Sequence, residues 1–354
     1  HLRYGFSNGH FNAWASLRFD KNNQRWGTND IDDDLNRNNW VLSAGKRVSE
    51  INNENPIRPI QNTINTLLWQ RNYLKIYENW FAQIKYERQT DNGFNYGISL
   101  LYEDRLPLEN TTDFTVIKWD NRQFTPNYPV EKLTEQFKRH QAFIGLFNIN
   151  WQPGQKFIQY PRYKMSLGSK YPTFTFKYWH GFNKILGSDI DFSKWQLSLS
   201  DDGNLKLFGS LSYRAGVGGF INNHKVQIQD YQHFNGNRYL FAGKYLQTFQ
   251  LAPYYANSTT AKFYAFGFVE HHFNGMLTNK IPMFNRLNWH LVAGANAYYI
   301  NNKSNYFEIF TGLENIFKVL RVDVVAGYLN GRVGEINIRL GLGGLLGGKF
   351  SFTD

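Results

Sequence analysis

The chain has 354 residues, no cysteine and a formal net charge of +11. The lack of cysteine excludes disulfides, thiolate catalysis and cysteine-based metal sites, and the length allows one large domain or two ordinary ones. Aromatic residues make up 18% of the sequence while mean hydropathy is −0.52, the combination expected of a barrel wall that turns rings to lipid and polar groups to its interior.

The 39 Lys and Arg are scattered among 28 acidic residues, with no basic block of five or more. That distribution suits basic side chains lining a barrel interior or meeting anionic lipid head groups rather than a nucleic-acid partner. The chain begins at His1 and shows no signal peptide, so it reads as a mature, processed or partial chain. No run of ~18 apolar residues occurs, which excludes a helical span.

In chain order, alternation of apolar and polar residues predicts strands over 10–20, 40–49, 76–86, 93–105, 139–151, 172–181, 192–200, 205–217, 224–231, 261–272, 287–300, 306–314, 319–330 and 333–344. Two stretches interrupt it. Residues 56–75 open with Pro56-Ile57-Arg58-Pro59 and place Ile60, Ile64, Leu67 and Leu68 at helical spacing, predicting a turn and a short helix near 60–72. Residues 232–257 form a long Gly/Asn/aromatic-rich loop, and irregular segments of that length are functional or disordered more often than not. Turn signals fall at Thr90-Asp91-Asn92-Gly93, Asp201-Asp202-Gly203-Asn204, Asn222-Asn223, Asn301-Asn302 and Asn330-Gly331.

The last strands are the clearest. Leu287, Trp289, Leu291, Ala293, Ala295 and Ala297 share one face, as do Leu320, Val322 and Val324, and Ile336, Ile338, Leu340 and Leu342. Arg321, Asp323, Glu335 and Arg339 then fall on the opposite, inner face, where they could pair across strands. Several segments exceed ten residues, a length suited to a tilted membrane strand. The expected fold is all-β: a transmembrane antiparallel β-barrel of about 14–16 strands spanning 1–354 as one domain.

Catalytic and metal motifs are weak. Ser43-Ala44-Gly45-Lys46 matches a Ser-x-x-Lys pattern, but on a strand serine and lysine face opposite ways. Glu270-His271-His272 puts adjacent histidines on opposite faces, so they cannot chelate one ion together. Asp32-Asp33-Asp34 lacks calcium-loop spacing and reads as a solvated loop. No catalytic, cofactor or metal residues are assigned, and a non-enzymatic protein is expected.

Certain motifs resemble a known family: Asn55-Pro56-Ile57-Arg58-Pro59-Ile60-Gln61-Asn62-Thr63, Tyr102-Glu103-Asp104-Arg105-Leu106-Pro107-Leu108-Glu109-Asn110-Thr111-Thr112, and Gly168-Ser169-Lys170-Tyr171-Pro172-Thr173-Phe174. Two more are Asp230-Tyr231-Gln232-His233-Phe234-Asn235-Gly236-Asn237, and Glu270-His271-His272-Phe273-Asn274-Gly275 running on to Asn279-Lys280-Ile281-Pro282. Together they look like Bacteroidota outer-membrane barrels that carry a carboxypeptidase-regulatory-like domain before the barrel. The resemblance implies a bacterial outer-membrane location, outer-membrane lipid and lipopolysaccharide as surroundings, and a longer natural N-terminus bearing a periplasmic domain and earlier strands. Five strands following a long loop also resemble the BamA/TamA-type assembly barrels, whose loop-tip arginine packs inside the barrel. The nearest equivalent lies in Asn235-Gly236-Asn237-Arg238-Tyr239.

The candidate lumen and loop residues are therefore Asn235, Gly236, Arg238, Arg321, Asp323, Glu335 and Arg339. The expected role is assembly, insertion or export of envelope proteins, through a weakly paired seam between first and last strands, with other envelope proteins as partners. Ser351 and Phe352 would end a closing strand. A passive pore for small solutes and a barrel-anchored accessory subunit stand as alternatives.

Overall fold

The computed structural model describes residues 1–6, 8–20, 37–54, 56–90, 92–160, 164–302 and 304–342. Asp32, Asp33, Asp34, Asp91, Ser351 and Phe352 lie outside them, as do the last positions of the expected 333–344 strand. The strands are β1 (Leu2–Gly5), β2 (His10–Asp20), β3 (Arg37–Glu50), β4 (Ile76–Gln89), β5 (Phe94–Pro107), β6 (His140–Trp151), β7 (Lys156–Gln159), β8 (Lys164–Gly168), β9 (Thr173–Gly181), β10 (Asp191–Asn204), β11 (Ser210–Lys225), β12 (Tyr264–His272), β13 (His290–Asn301), β14 (Ser304–Ile316), β15 (Leu320–Leu329) and β16 (Arg332–Leu342). Helices are α1 (Pro59–Trp69) and α2 (Pro282–Leu287). No described helix is long and apolar enough to cross a membrane.

Fourteen strands form one large antiparallel sheet in sequence order, while β7 and β8 make a separate two-stranded hairpin. Among the described residues the ladder does not close on itself into a barrel. Contacts within the chain cluster into two units, His1–Gln196 with Gly219–Gln232, and Leu197–Gly218 with His233–Asp354.

The expected strand pattern needs correction: the short strands β1, β7 and β8 are not in it, and three further places differ. The strands expected over 205–217 and 224–231 are one strand, β11, followed by a 3₁₀ turn at Ile228–Asp230. The Asn222-Asn223 pair is no turn, because Asn222 Nδ2 bonds Asp191 Oδ1 at 2.6 Å from within the strand. Likewise Asp201-Asp202-Gly203-Asn204 belongs to β10, and a 3₁₀ turn at Lys206–Phe208 follows it. Finally, the strand expected from residue 287 starts at His290. Pro282 fits the first turn of α2, Asn288 ends that helix in the left-handed region at φ 55°, and Trp289 N bonds Phe284 O. The Asn330-Gly331 turn holds as read: both residues take positive φ, 52° and 77°, as a tight type I′ hairpin requires.

Burial along the strands runs opposite to that of a water-soluble sheet. In β16, Ile336 and Ile338 are 65% and 50% exposed while Arg339 is 3% exposed. In β15, Leu320 and Val324 are exposed, with Arg321 and Asp323 buried between them. In β14, Phe307 and Ile309 flank a fully buried Glu308. The first unit repeats this: Trp80 and Ile84 of β4, and Ile98 and Leu100 of β5, are exposed, while Asn79, Ser99, Glu103 and Arg105 are buried.

The short helix ends at Trp69, earlier than residue 72, because Gln70 turns left-handed at φ 52°. No residue of the helix is buried: Ile60, Ile64 and Leu68 are exposed, and half-buried Asn62 accepts the amides of Tyr73 and Leu74 at 3.0 Å. The helix-end carbonyl of Leu67 accepts the amides of Val116 and Ile117, so the 108–139 connection serves as its cap.

Beside it, the buried Lys75 ammonium donates to Asn72 O, Thr125 Oγ1 and Pro126 O at 2.9, 2.7 and 2.7 Å. Burial brings its pKa down from 10.5 to about 8, against a smaller upward pull from Glu131. Between those two pH values the unfolded chain holds the proton and the folded chain does not, so stability rises with pH across that window. We expect wild-type protein to gain up to about 3 kcal/mol over Lys75→Met between the two ends of the window. Melting curves of both proteins with pH would check this, and parallel curves would contradict it.

Candidate functional site

The charged positions become intelligible once their partners are traced, and each unit holds one buried network. In the first unit, β5 alternation points Glu103 and Arg105 to the buried face. Arg105, 1% exposed, donates Nη1 to Asp230 Oδ2 at 2.7 Å and Nη2 to Asp230 Oδ1 at 2.9 Å. Its Nε reaches Glu103 Oε2 at 2.9 Å. Glu103 also accepts from Arg47 Nη2 at 3.2 Å and from Asn79. This bidentate geometry satisfies both carboxylates, which buried ions require. Asp230 lies on the 3₁₀ turn after β11, so the network pins that turn to β5. Asn53 Nδ2 adds a bond to Gln229 O at 3.0 Å.

Lys194 of β10 is buried beside this network and donates only at 3.3 and 3.5 Å, to the carbonyls of Asp230 and Tyr231. Its ammonium sits 4.7 Å from the Trp179 ring centroid. A cavity of about 550 Å³ opens here, with Arg47, Glu50, Gln83, Lys194, Trp179 and Phe192 among its lining.

In the second unit, residues 233–257 fold onto the polar face of the strands rather than away from it. Phe234, Phe249 and Ala252 join Tyr264, Phe268, Tyr298 and Tyr306 in one buried cluster. Tyr245 and Leu251 join Phe310 and Val325 in another. Polar bonds then fix the register. Glu308 accepts the amides of Gln250 and Leu251 at 2.7 and 3.1 Å, together with Asn296 Nδ2 and Tyr306 Oη, both at 2.7 Å. Arg339 Nε donates to Gln250 O at 2.8 Å. Tyr245 Oη bonds Asp323, and the Arg321 guanidinium lies 3.8 Å from the Tyr245 ring centroid while pairing with Asp323 and Glu270. Inside the segment, the Gln250 side chain accepts from Gly243 N at 3.0 Å and donates to Thr248 O at 3.0 Å.

A scan against family models matches residues 1–313 to the C-terminal domain of DUF5686, a family of unknown function. The chain belongs to this family. No curated protein matches the chain.

All seven residues singled out from sequence fall in the second unit, and Asn235, Gly236 and Arg238 lie within the stretch matched to DUF5686. Arg321 and Asp323 pair with each other, and Arg339 holds the 233–257 segment. Arg238 and Glu335 form an ion pair at 2.8 Å, and Arg238 is exposed rather than packed within. Asn235 accepts the Phe249 amide through its backbone oxygen at 2.7 Å. Gly236 lies so close to the chain returning at 252–253 that a Cβ there would sit 2.3 Å from Ala252 O. The weak catalytic motifs come apart. Ser43 Oγ bonds Ser16 Oγ, while Lys46 pairs with Glu78 at 2.9 Å. His271 bonds Phe208 O, while His272 pairs with Glu314 at 3.0 Å.

Sequence reasoning missed Glu308, Gln250, Tyr245, Glu103, Arg105 and Lys194 as site residues. The available signal was a charge at a buried-face position of an alternating strand, which Glu103, Arg105 and Glu308 carry as plainly as Arg321 does.

Proposed function

We propose that the chain is a non-enzymatic β-barrel of the bacterial outer membrane that works in the assembly, insertion or export of envelope proteins. The observation that carries the membrane reading is the reversed burial. Leaving each Leu, Ile, Val or Phe of the exposed rows in water forgoes about 1.5–3 kcal/mol, and the charges are sequestered instead. Lipid removes that penalty, and satisfied carboxylate–guanidinium pairs suit the interior of such a wall. Strands of 10–16 residues, such as β11 and β15, have the length a tilted crossing needs.

The packing of 233–257 favours assembly over free passage. In the second unit the face that would line a pore is covered by this segment through two hydrophobic clusters and the Glu308 and Arg339 bonds. A passive channel remains the second reading because of the 550 Å³ cavity beside Lys194 in the first unit. Deletion of the gene in its native bacterium tests the two. The assembly reading expects folded, heat-modifiable outer-membrane barrels to fall while helical inner-membrane proteins hold steady. Unchanged barrels, together with single-channel conductance from the purified full chain in planar bilayers, would sink it in favour of the pore.

A further inference from the structure

Lys194 stands beside the Arg105 network without belonging to it. Arg105 holds both oxygens of Asp230 and, with Arg47, the carboxylate of Glu103. Among the described residues no carboxylate comes within ion-pair distance of Lys194. Its two bonds, at 3.3 and 3.5 Å, reach only main-chain carbonyls. Both are longer than the roughly 2.7–3.2 Å of an ordinary N–H···O bond. Buried Lys75 shows the contrast, with three oxygens at 2.9, 2.7 and 2.7 Å. Lys177 of β9 likewise forms no ion pair among the described residues, and its ammonium lies 6.0 Å from the Trp179 ring centroid, against 4.7 Å for Lys194. The indole offsets part of each charge, but two cations flanking one ring repel each other until an anion joins them.

The cavity of about 550 Å³ at this place has two chemically different sides. On β3–β5, Gln83 bonds Ser99 at 3.0 Å and Glu103 bonds Arg47, so these polar groups answer one another. On β6, β9 and β10 the lining beside Lys194 is apolar. The strand register sets Leu146 opposite Trp179, and Phe192 packs with Ile144 and Phe220 in a buried cluster that Trp179 flanks. Small-molecule sites have this make-up: a mostly apolar wall, a few placed polar groups and a volume of about 300–1,000 Å³. We propose that the cavity binds small organic carboxylates with an apolar body, the carboxylate paired with Lys194 and the body against Trp179, Leu146 and Phe192. Lys177 adds attraction from across the indole. A singly charged group suits the site better than a phosphate dianion, because Lys194 already touches the main chain of Asp230, whose own carboxylate would repel the second charge. This binding site goes beyond the assembly reading and stands or falls without it.

The probe is para-fluorophenylpropionate, with its neutral amide as the isosteric control, titrated by fluorine NMR against the full chain in detergent. Partition into micelles is the same for every variant, so differences between variants read the site. We expect the carboxylate to bind at least about tenfold tighter than the amide, the effect of one hydrogen bond to a charged group. Lys194→Met keeps the length of the side chain and removes its charge. It should bring the carboxylate down to the level of the amide while the amide's own affinity holds. Leu146→Trp should block both probes by filling the cavity. Lys318→Gln, at an exposed lysine of the second unit, should change neither. Equal binding of carboxylate and amide to the wild-type protein overturns the proposal, and that comparison needs no variant. So does a Lys194→Met protein that still prefers the carboxylate, or a Leu146→Trp protein that binds as the wild type does. Tighter binding of para-fluorophenyl phosphate than of the carboxylate gives the site to phosphate esters and overturns it too.

Discussion

Replacing Arg105 by methionine is expected to destabilise the first unit by about 3–5 kcal/mol, the usual cost of removing one partner from a buried ion pair. The side chain is almost fully enclosed and answers two carboxylates, Asp230 through both terminal nitrogens and Glu103 through Nε. Methionine fills a similar volume but leaves Asp230 without its forked counter-charge and Glu103 with Arg47 alone. Lysine is expected to recover only part of the loss, because an ammonium cannot reproduce the forked contact with Asp230. Denaturant titration in detergent measures the total. Hydrogen exchange locates it, with the largest loss of protection at 226–232 and in the second half of β5. A cost under about 1 kcal/mol would show that the pairs merely offset their own desolvation.

The second large effect is expected at Glu308. Its carboxylate accepts two backbone amides and two side-chain donors while fully buried. Glu308→Ala strands the amides of Gln250 and Leu251 with no acceptor at hand, and each unsatisfied buried donor costs about 1–3 kcal/mol. Because the four bonds act together, the total is expected near 3–5 kcal/mol rather than at their sum. The readout is local: limited proteolysis should open 245–252 at low protease, with β12–β15 still resistant. Tyr306→Phe removes one donor and leaves the carboxylate its other three partners, so a loss of roughly 1 kcal/mol is expected. Wild-type protease resistance in Glu308→Ala would mean that the aromatic clusters alone hold the segment.

Much of this architecture was legible in the residues because strand alternation has a strict period of two. Counting puts Arg321, Asp323, Glu335 and Arg339 on one face; the first two and Arg339 are buried, whereas Glu335 is only half-buried beside Arg238. Counting fails where two chemistries share a pattern. Leu287 and Trp289 alternate like a strand, yet Pro282 and Asn288 supply a helix start and stop that override it. Asn222-Asn223 reads as a turn because asparagine tolerates turn geometry, but a carboxylate on the neighbouring strand satisfies it in extended form. The partners were not legible at all. Arg105 and Asp230 are 125 positions apart, and Glu308 meets Gln250 across 58. Only the fold supplies such pairs. The loop at 232–257 was marked by its length and composition, but its inward packing depends on acceptors on β14 and β15 that no local pattern announces.

The central claim is that the exposed apolar rows face lipid and the charged rows do not. Single cysteines placed one at a time from 320 to 326 along β15, each carrying a nitroxide label, report this directly in reconstituted bilayers. The account predicts that positions 320, 322, 324 and 326 collide readily with oxygen dissolved in lipid and poorly with a water-soluble nickel chelate. Positions 321, 323 and 325 should be poorly accessible to oxygen. High nickel accessibility at the even positions would place those rows in water and contradict the account.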